Sequence, residues 1–234
     1  MNRALILLLA LLVNTGCASS RGFDRGAIKA DLSSPITTDR GIQKTLELKP
    51  QLPFPFRLGV YFIDRRSYRQ WDYGSKWGAN DRDLDWLDPL KEVGIVSEVI
   101  PVTSAAMTND GRESTSLTSI RLAAARHNAD AVLTINYGAD VDRYNNFSSF
   151  LYLTIIGGFL VPGTHANALV VMNGALWDVR NEYLYITAEA EAEAGSMGPA
   201  FLLKNGKSVR KAKGEAMPLF HEEVVKRIRA LAGN

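Results

Sequence analysis

The chain has 234 residues, of which 27 are basic and 25 acidic, and it contains a single cysteine. The formal net charge of +2 gives no basis for predicting nucleic-acid binding or strong attraction to anionic lipid. Because one cysteine cannot form an intrachain disulfide, the hydrophobic core must supply the stability of the fold.

The first residues have the pattern of a secretory signal. A short positive start, Met1–Arg3, precedes the unbroken apolar run Ala4–Val13. As a helix this run rises about 15 Å, half the thickness of a bilayer core, so it is too short to span a membrane. Small residues precede Cys17, as at a cleavage site, and residues 1–16 are therefore interpreted as a signal peptide.

The segment around Cys17 resembles the signals of bacterial lipoproteins, in which the cysteine thiol is acylated and the chain is cut just before it. The resemblance implies cleavage after Gly16 and anchoring in membrane lipid through Cys17. Asn14 departs from the pattern, which has an aliphatic residue there, and an ordinary signal that leaves Cys17 as a free thiol is the alternative. The residue after Cys17 is Ala18 and not an aspartate. By resemblance to lipoprotein sorting, this favours the outer membrane, facing the periplasm.

Residues 17–56 are interpreted as the lipidated cysteine followed by a flexible tether. Serine, glycine and charged residues are scattered along it, and Pro50, Pro53 and Pro55, which favour extended chain, close it. We expect the first half to be loose and the second half to dock on the domain through its apolar residues, Ile42, Leu46 and Leu48.

A single domain is predicted over residues 57–234. Residues 56–63 are β-branched, aromatic and almost continuously apolar, which is typical of a central strand. Residues 95–102 form the next predicted strand, and Pro101 near its end favours an edge position or a strand terminus.

Two helices are predicted in the first half of this domain. One lies in the range Asp81–Gly94, where Pro89 is expected to kink or split it. The other spans Leu117–Asn128, capped by Thr115-Ser116, and leads into a predicted strand at 130–137.

Residues 167–179 and 183–194 predict a β-hairpin. Alanine alternates strictly with glutamate in its second arm, so each residue type lies on one face of the strand. The alanine face suits closely packed helices; the glutamate face is interpreted as solvated, with a cation site as the alternative. With an amphipathic helix over 215–232, this order predicts an α+β fold, an α/β sandwich with helices on a mixed sheet of about five strands.

The segment 147–163 is an apolar insert between the third strand and the hairpin, and its central twelve residues, 150–161, carry no charge. It is too short for a spanning helix. Three interpretations stay open: a buried core segment, an exposed surface that docks on a partner or a second copy, and a segment that dips into the membrane. The candidate interaction residues are Phe150, Leu151, Tyr152, Leu153, Ile155, Ile156, Phe159 and Leu160.

No catalytic, metal-ligating or cofactor-binding motif is recognised in the sequence. The three histidines, His127, His165 and His221, have no metal-ligand spacing, and each is interpreted as structural or surface-exposed. Aromatic residues are dense over 61–86. They are interpreted as a minor core or, alternatively, as a glycan-binding surface formed by Trp71, Tyr73 and Trp77.

The strand RLGVYFID, the helix–strand segment RLAAARHNADAVL and the arm GALWDV resemble a broad group of periplasmic lipoproteins. This group includes the curli-secretion lipoprotein and the lipoprotein activators of penicillin-binding proteins, and the resemblance implies a fold similar to an anticodon-binding domain. The insert that ends in VPG, followed by ALVVMNGALWDVR, looks most like the rhombotarget lipoproteins. The terminal KRIRALAGN departs from that type, so rhomboid-type processing is not implied.

These observations together predict a non-enzymatic lipoprotein of the outer membrane that binds another cell-envelope protein or assembles with copies of itself. The apolar insert is the expected contact surface. A glycan- or peptidoglycan-binding module that uses the tryptophan-rich segment is the alternative, and no nucleic-acid partner is expected.

Overall fold

A computed structural model describes residues 19–32, 39–64, 77–107, 116–146, 159 and 162–233. Its strands are β1 (Phe56–Phe62), β2 (Val96–Pro101), β3 (Ala131–Asn145), β4 (Thr164–Asp178) and β5 (Leu184–Gly198). Its α-helices are α1 (Arg25–Leu32), α2 (Asp39–Leu46), α3 (Asp88–Glu92), α4 (Leu117–Arg126) and α5 (Asn205–Ala232).

The five strands form one mixed sheet in the order β2-β1-β3-β4-β5. β1 lies between β2 and β3 and is parallel to both, whereas β3, β4 and β5 form an antiparallel meander. The predicted α+β fold, with a five-stranded mixed sheet and a C-terminal helix, is confirmed. The edge position predicted for β2 from Pro101 is confirmed as well.

One face of the sheet is covered by α5. The side chains of Phe220, Val224 and Ile228 are fully buried, in one cluster with the apolar residues of β1, β3 and β4 on this face. Gly174 on β4 allows the close approach, because a Cβ atom there would lie 2.6 Å from Cζ of Phe220. The alanine face of β5 lies on this side, as its small side chains predict, with Ala188 and Ala194 buried.

The opposite face is covered by two helices that lie at different ends of the sheet. α4 buries Ile120, Ala123 and Ala124 over β1 and the start of β3. Ser116 caps this helix as predicted: its side chain accepts a hydrogen bond from the backbone N–H of Ser119. α1 covers β3 and β4 further along, where Ile28 packs on Leu169 and Val171.

The contacts of α1 contradict the expected loose first half of the tether. In the second half, Ile42 and Leu46 are exposed and Leu48 is half-buried, and docking occurs through the segment just before β1. There the side chain of Asn181 donates to the backbone carbonyl of Lys49, and the backbone N–H of Gln51 donates to the hydroxyl of Tyr185.

Two predicted elements are longer in the structure. β3 continues past Tyr137 to Asn145, because its antiparallel pairing with β4 is maintained through Gly138 and the polar residues that follow. α5 begins at Asn205 rather than at 215, although Gly214 and Pro218 lie inside it. Burial of its first turns against the sheet overrides the low helix propensity of these residues.

The helix predicted near Pro89 is split as expected. Two 3₁₀ turns, Asn80–Arg82 and Asp85–Leu87, precede α3, and Pro89 lies in the first turn of α3, where its missing N–H costs no hydrogen bond. Gly94 follows with a φ of +71°, which a glycine adopts readily.

Candidate functional site

The described residues that bear on function gather at one end of the sheet. We call this end, where β3 stops at Asn145 and β4 starts at Thr164, the insert end. The two strands are paired up to their last residues, Asn145 opposite Thr164, so both ends of the apolar insert join the sheet here. β5 finishes beside them, with Gly198 paired to Thr164.

The segment that follows Cys17 is bound to the sheet close to this end. The hydroxyl of Ser20 donates to a carboxylate oxygen of Asp142, and the backbone N–H groups of Arg21 and Gly22 donate to the same carboxylate at 3.2 Å each. Asp142 is almost fully buried, and a buried carboxylate is stable only where such donors satisfy it. We call these contacts the N-terminal clasp.

Local backbone features hold the clasp in shape. Gly22 has a φ of +74°, a conformation that a residue with a Cβ atom rarely adopts, so the turn depends on glycine. The backbone N–H of Asp24 donates to the carboxylate of Asp140 at 3.1 Å. The carboxylate of Asp24 in turn accepts from the N–H of Ala27 at 2.8 Å, which caps the start of α1.

α1 is held against the sheet by burial and by charge. Gly138 leaves room for it, because a Cβ atom at that position would lie 2.6 Å from Cγ2 of Ile28. On the exposed side, Lys29 pairs with Glu189 at 2.5 Å, and Arg25 pairs with the next two glutamates of β5, Glu191 and Glu193.

The glutamate face of β5, interpreted from the sequence as solvated, therefore binds side chains of the same chain. The hydrogen bond that Lys29 donates to Glu189 is the main cause that raises the pKa of Lys29, and the bond that Arg25 donates to Glu193 raises the pKa of Arg25 in the same way. All three glutamates face basic partners on α1, so this arrangement gives the alternative of a cation site no support.

A cleft of about 750 Å³ opens between the clasp and the sheet. It is lined by residues of the clasp, by the last residues of β3 and by Asn205 at the start of α5. The side-chain oxygen of Asn205 is buried and has no hydrogen-bond partner among the described residues. The cleft shows that the N-terminal segment, the end of β3 and the beginning of α5 meet at one place.

Exposed apolar residues lie beside the clasp. We call Phe159, Met197, Phe201 and Leu202 the apolar patch; their exposed fractions are 46%, 57%, 63% and 59%. The rings of Phe159 and Phe201 are in contact, with centroids 4.9 Å apart. The loop after β5 is fastened to β3, because the guanidinium of Arg143 donates to the carbonyl of Ala200 at 2.7 Å.

Most of the interaction residues predicted from the sequence lie outside the described residues. Among the eight of the insert only Phe159 is described, and it belongs to the apolar patch. The predicted lipidation site, Cys17, is also outside the described residues, two positions before the first of them.

Of the three residues of the glycan-binding alternative, Trp71 and Tyr73 lie outside the described residues, and Trp77 is in the core. The ring of Trp77 contacts those of Phe62 and Tyr137, and its indole N–H donates to the carbonyl of Ile63 at 3.0 Å. Lys213, paired with Asp81, lies over the same ring. Trp77 therefore has the contacts of a core residue.

The histidines have structural contacts. The ring of His221 stacks on Trp86 with centroids 4.1 Å apart, and its burial lowers its pKa to about 4. His165 stacks on Tyr144, and His127 lies at the C-terminal cap of α4.

In the part of the chain that the structure describes, no three histidine, cysteine, aspartate or glutamate residues are grouped as metal ligands. No described helix is both long enough and apolar enough to cross a bilayer.

The residues that the sequence analysis missed are Asp140 and Asp142. Both follow the predicted end of the third strand, and their alternate spacing is the one signal that they share a face of an extended strand. Their partners lie more than a hundred residues earlier in the chain, so no local pattern links them.

Comparisons with known proteins identify no family. No family model matches the chain, and no curated protein matches it. A solved structure with some similarity is that of a hypothetical protein from Chlamydia trachomatis, which is 10% identical with a TM-score of 0.30. The alignment covers 76% of this chain and 99% of that chain, and likeness at this level carries no conclusion about function.

Proposed function

We propose that this chain is a non-enzymatic lipoprotein, anchored in the outer membrane through acylated Cys17, whose domain binds another protein of the cell envelope or a second copy of itself. The observation that carries the proposal is the N-terminal clasp, in which the residues directly after Cys17 are bound to the sheet. A domain held so close to its anchor works at the membrane surface.

The anchor depends on the cysteine thiol, so replacing it tests the proposal directly. We expect Cys17→Ala to abolish acylation and to remove the protein from the outer-membrane fraction. The measurement is mass spectrometry of the N-terminus after separation of soluble, inner-membrane and outer-membrane fractions.

Ala18→Asp is the matched control, because it keeps the thiol and changes only the residue after it. By resemblance to lipoprotein sorting, this variant should still be acylated but should move to the inner membrane. A native protein that carries an unmodified Cys17 in the soluble fraction would refute the anchor.

The edge of β5 favours a partner that contributes a strand. β5 is an outer strand of the sheet and extends over Leu184–Gly198, and no described strand pairs with its outer side. The unpaired N–H and C=O groups of so long an edge are a template for β-pairing with a second chain. α5 covers one face of β5, and on the other face the glutamates pair with basic side chains of α1, so the backbone edge offers the hydrogen-bonding groups that a partner strand would use.

We expect a photo-crosslinking residue in place of Thr187, which is exposed on β5, to give a discrete adduct with an envelope protein or a second copy in growing cells. The same residue in place of Leu122, exposed on α4 at 43%, is the control and should give none. The masses of the adducts distinguish a second copy from another protein. Equal labelling from both positions would argue against β5 as the contact.

A further inference from the structure

We propose that the insert end of the domain lies on the phospholipid surface, with the apolar patch among the lipid chains near the headgroups and a cluster of basic side chains at anionic headgroups. This inference rests on the proposed anchoring through Cys17. It assigns a membrane-binding surface to described residues of the domain itself, in addition to the lipid on the cysteine.

The length of chain before the clasp places the membrane close to the insert end. Cys17 is three residues before Ser20, and three extended residues reach about 11 Å at most. Ser20 is bound to Asp142, which pairs with Asn167 on β4. The proposed acylated residue is therefore no more than about 11 Å from Ser20, which is bound close to the end of the sheet where the apolar patch is exposed.

The apolar patch is on the same side of the molecule as the clasp. Met197 of β5 is paired with His165, which is two residues before Asn167 on β4. Met197 is also four residues after Glu193, which pairs with Arg25 of α1, so the two side chains lie on the same face of the strand. Met197 therefore projects from the face of the sheet that α1 and the clasp cover. Phe201 and Leu202 follow in the next loop, where the ring of Phe201 contacts that of Phe159, and exposed apolar residues grouped in this way mark a site of interaction.

The charges beside the patch suit an anionic surface. Four exposed basic residues lie at the start of α5, and none of them makes an ion pair with a described residue: Lys204, Lys207, Arg210 and Lys211. The described segments at the insert end, 143–146, 162–171 and 194–211, contain no aspartate or glutamate. The hydroxyl of Ser208 donates to the carbonyl of Ala166 at 2.7 Å, which places these turns of α5 at the insert end.

This local excess of positive charge is hidden in the net charge of +2 for the whole chain. Apolar side chains flanked by lysine and arginine are the usual composition of protein surfaces that bind the membrane interface. Asp140 and Asp142, the acidic residues near this end of β3, accept hydrogen bonds from residues 20–24. The two chemical features of the surface, apolar contact and positive charge, thus occur together next to the anchor.

A fluorescent label tests the orientation, and the chain offers a convenient design. Its sole native cysteine is the acylated one, so an introduced cysteine is the one free thiol. The mature acylated protein with Phe201→Cys is labelled with an environment-sensitive dye and inserted into vesicles of phosphatidylethanolamine and phosphatidylglycerol. We expect the emission to shift to the blue and to be largely lost when the vesicles carry a quencher on the lipid chains.

Val93→Cys is the matched control. Val93 is apolar and 56% exposed, and it precedes β2, whose first residue is paired with the first residue of β1 at the opposite end of the sheet. A label there should show neither the shift nor the quenching. In vesicles of phosphatidylcholine alone, the shift at position 201 should be smaller, because the basic residues lose their anionic partners.

The outcomes separate this inference from the anchoring. If the vesicles retain the acylated protein but neither label is quenched, or both are quenched alike, the proposed orientation is wrong and the anchor stands. If the label at 201 is shielded by an added envelope protein and not by lipid, the patch is a protein contact and the inference falls. If the mature chain is not acylated and does not bind vesicles, the anchoring itself is refuted.

Discussion

Truncation of Phe220 to alanine is expected to lower the free energy of unfolding by about 3–5 kcal/mol. The ring has no exposed surface and packs against Gly174, where no side chain can move in to fill the space that it leaves. The loss is of the order of the whole stability of a marginally stable domain. The measurement is chemical denaturation of the mature chain, followed by tryptophan fluorescence.

Leu219→Ala is the matched control, because Leu219 is the preceding residue on the same helix and 53% exposed. We expect it to change the free energy of unfolding by less than about 0.5 kcal/mol. Equal effects of the two substitutions would show that α5 is not packed on the sheet through Phe220.

A second variant examines the same contact from the strand. Gly174→Ala should be destabilising, since the new Cβ atom would lie 2.6 Å from Cζ of Phe220. Phe220→Leu removes that end of the ring. The loss of unfolding free energy in the double variant, Gly174→Ala with Phe220→Leu, should therefore be smaller than the sum of the losses in the two single variants. Strict additivity of the two effects would contradict the direct contact.

The elements that were predictable from the sequence are those whose burial follows a simple period. β1 is buried on both faces, on one by the core cluster that includes Leu87 and Leu90 and on the other by α4, so its continuous apolar run was sufficient. The arms of the hairpin were recognised from their alternation and short connection. In the turn, the positive φ falls on Glu182 and not on Asn181, whose side chain instead accepts from the N–H of Tyr183.

The elements that were missed depend on distant contacts. The first turns of α5 contain Gly206 and Gly214, which are poor helix formers, and they are helical because the sheet buries residues such as Ala212. α1 has a single well-buried apolar residue, Ile28, and its docking depends on a glycine and two aspartates of β3. No pattern within residues 19–32 predicts partners that lie so far along the chain.

The candidate site likewise combines a local signal with contacts between distant residues. The pattern from which lipidation of Cys17 is predicted is linear, so it can be recognised without the fold. The position of the anchor relative to the domain cannot, because it depends on the contact between Ser20 and Asp142 across the fold. The surface proposed to face the membrane also combines residues from the insert, from β5 and from the start of α5, and they become neighbours only through the pairing of the sheet.

Asp142→Ala is expected to release the N-terminal segment while the rest of the domain stays folded. The substitution removes the acceptor of three hydrogen bonds, and bonds to a charged group are the stronger class in proteins. We expect local opening of residues 20–32 to become easier by about 2–3 kcal/mol, which corresponds to roughly 30- to 150-fold faster amide exchange there. Hydrogen exchange with mass spectrometry measures this directly.

Asp88→Ala is the control, because Asp88 is an exposed aspartate whose ion pair is with Lys91 on its own helix. It should leave exchange in residues 20–32 unchanged. Gly138→Ala should loosen the same segment without changing Asp142, because its Cβ atom would displace Ile28 of α1. Faster exchange in both variants would assign the effect to loss of docking; unchanged exchange in Asp142→Ala would contradict the clasp.

Release of the clasp should also change how the domain meets the membrane. Once residues 20–32 have opened, α1 included, the next described contact of the chain with the domain is at Lys49, so more than thirty residues would separate the anchor from the sheet. Such a segment can reach about 100 Å when extended. A label at position 201 should then lose most of its lipid quenching although Cys17 stays acylated, because it is the short distance from the anchor that brings the apolar patch to the lipid.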